Sequence, residues 1–76
     1  MLHVVVTSPE RLLFDGTARR IMLPGEQGTF EILPLHRPLI SRLIRGAVEI
    51  DDARFGILRG IVRVADDEVT AVVELQ

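Results

Sequence analysis

The chain of 76 residues contains no cysteine, and its nine basic residues are all arginine, none lysine. Without cysteine no disulfide can brace the fold, which fits a reducing compartment. The two histidines, His3 and His36, stand far apart, which argues against a structural metal centre. No apolar run reaches the ~20 residues a membrane-spanning helix needs. Met1-Leu2-His3 carries no charged-then-apolar layout of a secretory signal. A basic excess is also missing: nine arginines face eleven acids, a net charge of -2. That balance argues against a dedicated nucleic-acid binder. So short a chain buries only about 60% of the surface its unfolded form exposes. With disulfides and metal set aside, a partner subunit is the favoured source of extra stability.

What the sequence does contain is a series of short apolar segments separated by turn residues. Leu2, Val4 and Val6 alternate with His3, Val5 and Thr7, the period of a half-buried strand. Ser8-Pro9-Glu10 makes a corner, because proline presets its own φ and biases the preceding residue to extended geometry. Leu12 to Asp15 reads as a strand stopped by Gly16, and Ala18 to Leu23 as the next, with Ile21 and Leu23 inward and Pro24-Gly25 at its end. Thr29 to Leu33 alternates again, Phe30 and Ile32 sharing a face. Ala47 to Ile50, Arg54 to Leu58 and Ile61 to Ala65 follow, with Asp51-Asp52 and Asp66-Asp67 as turns. A final strand alternates Val69, Ala71, Val73 and Leu75 with Glu68, Thr70, Val72 and Glu74. Many short strands with turn signals every roughly 8–12 residues indicate a β-sandwich or barrel. Pro38 to Gly46 alone is ambiguous. Proline at a first helical position, apolar residues at 39, 40, 43 and 44 and a closing glycine suit a two-turn helix as well as a strand.

Catalytic constellations are poorly served. Ser8 and Ser41 are the only serines, so a nucleophilic triad would need Ser41, His36 and a loop aspartate, with no nucleophile elbow to present them. The paired aspartates at 51–52 and 66–67 are ordinary hairpin-tip residues rather than a calcium site. Gly25-Glu26-Gln27-Gly28 spells a GxxG loop, but it joins strands rather than helices and carries an acid, so RNA binding is rejected. It is either a plain glycine turn or an exposed contact tip. His36, on a Pro-bearing corner, either holds that corner by backbone hydrogen bonding or contacts a partner. Arg37, Arg42 and Arg45 form either a solvated face or an interface with an acidic surface.

Taken in order, these residues carry a resemblance. Thr7-Ser8-Pro9-Glu10, Leu13-Phe14 with Gly16, Leu23-Pro24-Gly25-Glu26 with Gly28, Phe30, Ile32-Leu33-Pro34, His36, Pro38-Leu39, Leu43, Gly46, Val48, Ile50, Gly60, Val64 and Val69-Thr70 span the whole chain. Together they resemble the N-terminal β-sandwich domain of the epsilon subunits of F-type ATP synthases (delta in mitochondria). Departures fall at Glu31, Leu35, Arg37, Arg59, Ile61 and Arg63, and the hairpin at Asp51-Asp52 is short. Leu35 stands where the family has a small residue before the histidine.

The resemblance implies an all-β sandwich of two five-stranded sheets over residues 1–76, with Pro38 to Gly46 extended. It implies a non-catalytic subunit of the rotating central stalk, needing neither cofactor nor metal. That subunit would bind the gamma subunit and the c-ring at the cytoplasmic face of the bacterial membrane, without inserting into the bilayer, and couple ion flow to ATP synthesis. By position, Ser8, His36, Arg37 and Ser41 would face gamma, and Glu26, Gln27, Gly28 and Thr29 would meet the c-ring. With the sequence ending at Gln76, no C-terminal helical hairpin and no hairpin-based inhibition of hydrolysis are expected. The contrasting expectation is a free-standing β-sandwich adaptor.

Overall fold

A computed structural model describes all residues from Met1 to Gln76, and they form eight β-strands and no helix. In chain order these are β1 (Leu2–Thr7), β2 (Leu12–Ala18), β3 (Ile21–Gly25), β4 (Gly28–Ile32), β5 (Leu39–Leu43), β6 (Gly46–Ile50), β7 (Ala53–Ala65) and β8 (Glu68–Leu75). All-β architecture is therefore as expected. The ambiguous segment is a strand: β5 pairs antiparallel with β7 from Leu39↔Val64 to Leu43↔Gly60. A two-turn helix there would be marginal by itself, whereas the ladder satisfies the backbone and puts Leu43 in the core.

The long strand β7 organises both layers. Its second half lies in a five-strand run ordered β2-β1-β8-β7-β5. Its first half pairs with β6, which pairs in turn with β3 and so with β4. The end of β8 crosses to that layer too, Leu75 lying opposite Ile57 and Gln76 N–H donating to Gly56 at 3.2 Å. The crossing point is a register shift between Ile57 and Arg59. One extra residue there bends the strand and lets one ladder serve two faces. The sequence pattern predicts two strands here, Arg54–Leu58 and Ile61–Ala65, where the structure has one. The bulge accounts for that break, because it disturbs the alternation without ending the strand.

Two other boundaries move for similar reasons. β2 continues through Gly16 to Ala18, because Val4↔Gly16, His3↔Thr17 and Leu2↔Ala18 keep it paired with β1. Pro24 and Gly25 lie inside β3, paired with Thr29 and Gly28, rather than after it. The Pro24 carbonyl accepts from Ile44 N–H at 2.9 Å, tying β3 to the turn after β5.

Between the layers lies one cluster of 16 buried apolar side chains, drawn from every strand. Leu2, Val4 and Val6 come from β1, Ile21 and Leu23 from β3, and Val69, Ala71 and Val73 from β8. These are the inward positions that the period-2 alternation marks. At the β7–β8 turn Asp66 and Asp67 both have positive φ, 52° and 61°, as a two-residue type I′ hairpin requires. The Asp51 carboxylate accepts from Arg19 N–H at 3.0 and 3.2 Å and from Arg20 N–H at 3.1 Å. That clamp fastens the β2–β3 corner to the β6–β7 hairpin.

Candidate interaction surfaces

The first surface is the β3–β4 hairpin tip. Gly25 pairs with Gly28, leaving Glu26 and Gln27 as the loop. Gly28 takes φ 118°, a region open to glycine and closed to most side chains. Glu26, Gln27, Gly28 and Thr29 are all exposed. Beside them is a concavity of about 510 Å³ lined also by Phe30, Leu39 and Ser41. Ser41 thus belongs with the tip. Its hydroxyl donates to the Arg42 carbonyl at 3.1 Å.

The second surface is the corner between β4 and β5. Leu33, Pro34, Leu35 and His36 form a turn closed by His36 N–H donating to the Leu33 carbonyl at 3.2 Å. His36 is half-buried, and its Nδ1 lies 2.7 Å from the Arg37 carbonyl. A carbonyl only accepts, so Nδ1 is the donor in this contact. Arg37 is exposed and forms no ion pair within the chain. The β7–β8 turn braces this corner, Asp67 Oδ1 accepting from Leu35 N–H at 2.6 Å.

Ser8 belongs to neither surface. It is 7% exposed, and its hydroxyl is engaged in its own corner. It donates to the Arg11 carbonyl at 3.2 Å and accepts from the N–H groups of Glu10 at 3.3 Å and Arg11 at 3.2 Å. Strand β8 separates it from His36: Thr7, next to Ser8, pairs with Val72, while the His36 corner bonds to Asp67 just before β8 begins. The four residues grouped by resemblance as one face therefore occupy three places.

Sequence reasoning missed a third surface, the outer face of β5, β7 and β8. Ile40 is 74% and Ile61 55% exposed, with Val72 beside them. Ile61 lies across from Arg42 and Val72, and Ile40 across from Arg63. Neither Arg42 nor Arg63 has an ion-pair partner within the chain. The available signal was isoleucine at outward positions of paired strands, which becomes visible only once the register is known.

Electrostatics single out His3 on the outer side of β1. Its Nε2 lies 3.0 Å from Asp15 Oδ1 on β2 and its Nδ1 3.6 Å from Glu68 Oε1 on β8. The hydrogen bond to Asp15 raises the imidazole pKa most, desolvation takes part of that back, and Glu68 adds to the rise. The two carboxylates sit on opposite ring nitrogens, so they cross-link three strands rather than converge on a metal.

A small β-sandwich with an exposed hairpin tip and a braced, exposed corner is the class of domain that the fold defines. Comparison with known proteins places it. Residues 1–75 match the family described as the ATP synthase delta/epsilon chain, β-sandwich domain. The chain belongs to that family. It is 43% identical to the ATP synthase epsilon chain of Bordetella avium over 76 residues, covering 93% of this chain and 54% of that protein. With the ATP synthase epsilon chain of Nitratiruptor it shares 37% over 78 residues, covering 96% of this chain and 60% of that protein. The chain thus spans little more than half the length of these relatives. Among solved structures, a chain from the central stalk/c-ring of the Tetrahymena thermophila mitochondrial ATP synthase superposes with a TM-score of 0.77 at 20% identity. That match covers 96% of this chain and 63% of the other, and it supports the shared fold.

Proposed function

We propose that this chain is a non-catalytic central-stalk subunit of a bacterial F-type ATP synthase. In this reading it binds the gamma subunit and the c-ring at the cytoplasmic face of the membrane and helps couple ion translocation to ATP synthesis. The observation that carries the reading is family membership over residues 1–75. The geometry supports it by offering separate contact regions on one stiff body. Gamma contacts fall to His36 and Arg37, with Ser8 holding its corner in shape. The c-ring contacts fall to Glu26, Gln27, Gly28 and Thr29, with Ser41 alongside. A rotor subunit must transmit torque without yielding, and a single core shared by both layers suits that task.

The test is light scattering coupled to size-exclusion chromatography, on this chain mixed with the gamma subunit of the same organism. A one-to-one complex weakened by His36→Ala supports the reading. A stable interface buries roughly 1,200–2,000 Å² in total, so the complex should survive the column. Two unshifted peaks from folded proteins would reject it in favour of a free-standing adaptor.

A further inference from the structure

Leu35 combines two properties that are costly together. It occupies the second central position of the Leu33–His36 turn with φ 68°, after Pro34 at the first. Proline followed by a positive φ is the type II arrangement, whose second position calls for glycine or asparagine. A leucine there holds its Cβ against the backbone, an outlier for a bulky side chain. Burial does not compensate, because Leu35 is 90% exposed and lies outside the core cluster. An exposed leucine by itself needs no explanation. An exposed leucine held in a strained conformation does, since strain persists where the surroundings over-determine it and where function uses it.

The surroundings do over-determine it. Pro34 fixes one side of the turn, the His36 N–H bond to Leu33 closes it, and Asp67 Oδ1 grips the Leu35 N–H at 2.6 Å. The side chain is therefore presented from a stiff corner, and little backbone freedom remains to be lost on binding. Its neighbours His36, Arg37 and Asp66 supply a polar rim of both signs around one apolar tip. An apolar projection inside a polar rim is the layout of an interface anchor. The corner adjoins His36 and Arg37 and lies at the far end of β4 from the Glu26–Thr29 tip. On the central-stalk reading, which gives His36 and Arg37 to gamma and the Glu26–Thr29 tip to the c-ring, the occupant of this corner is gamma.

We propose that Leu35 is the apolar anchor of the gamma contact, seated in an apolar socket on that subunit. The inference rests on the central-stalk reading. Its test is calorimetric titration of the gamma subunit from the same organism into wild-type chain, Leu35→Gly, Leu35→Asn and Leu35→Met, with thermal midpoints taken on the same samples. Leu35→Gly and Leu35→Asn should each weaken binding by about tenfold or more, the scale of losing an interface anchor. Both should melt no lower than wild type, since glycine and asparagine suit the positive φ. Leu35→Met should bind nearly as wild type. Binding of both Leu35→Gly and Leu35→Asn within about twofold of wild type overturns the anchor and leaves the stalk reading standing. Loss with glycine but not asparagine also overturns it, by assigning the effect to backbone freedom. Absence of any wild-type complex overturns both readings at once.

Discussion

Gly60 lies where β7 passes from one layer to the other, and adding a single methyl there should be costly. A Cβ on Gly60 would sit 2.6 Å from the Val72 carbonyl oxygen, 2.8 Å from Val73 Cγ1 and 3.2 Å from Val73 Cα. Two of these are backbone atoms of a strand paired on both sides, so they have little room to retreat. Overpacking of this kind costs about 1–3 kcal/mol, and contact with backbone argues for about 2 or more. A domain of this size has roughly 4–11 kcal/mol of stability in all, so the loss is a large share. At an m-value of about 1 kcal/mol per molar, Gly60→Ala should lower the urea midpoint by about 2 M. Gly16→Ala is the matched control, because its Cβ would meet only the Phe14 ring at an ordinary 3.5 Å. Its midpoint should stay the same or rise slightly, alanine having less unfolded-state freedom to lose. Equal midpoints for the two variants would refute the argument that the close approach at Gly60 is what permits the crossing.

Three further outcomes follow from named contacts. Asp51→Ala should cost about 1–2 kcal/mol by freeing the Arg19 and Arg20 N–H groups, while Asp51→Asn, which tolerates the positive φ and keeps an acceptor, should cost less; urea titration of both checks the order. Leu23→Ala should cost about 2–5 kcal/mol, because Leu23 is wholly buried and the sheet on either side restricts collapse of the cavity; a loss under about 1 kcal/mol in thermal melts would contradict its place in the core. The His3 contribution depends on pH: the imidazole titrates near 6.5 when free and higher when folded, so its stabilisation is complete below that value and disappears as pH rises through the raised one. The melting difference between wild type and His3→Gln should therefore shrink from pH 5.5 to 8, and a constant difference would show that the Asp15–His3–Glu68 link contributes no proton-linked stability.

The sequence by itself determined the all-β class, the hairpins at Asp51-Asp52 and Asp66-Asp67, and the inward residues of β1, β3 and β8. Each of these is local. Side-chain alternation has a period of two residues, and turn type follows from the few residues that accept its φ values. Family membership was legible too, because the Pro-Gly-x-x-Gly-x-Phe and Pro-x-His-x-Pro-Leu corners hold their spacing along the chain. Tertiary structure alone decided the rest. Pro38 to Gly46 became a strand because β7 offered it a ladder, and β7 ran unbroken because a bulge carried it across the layers. Ser41 fell beside the Glu26–Thr29 tip, and Ser8 withdrew into its own corner, because register places side chains that sequence distance cannot. Leu35 shows the division most clearly. Its turn was visible in the proline before it, yet its positive φ and its exposure appear only in the fold, where Asp67, a residue distant in sequence, helps hold the corner.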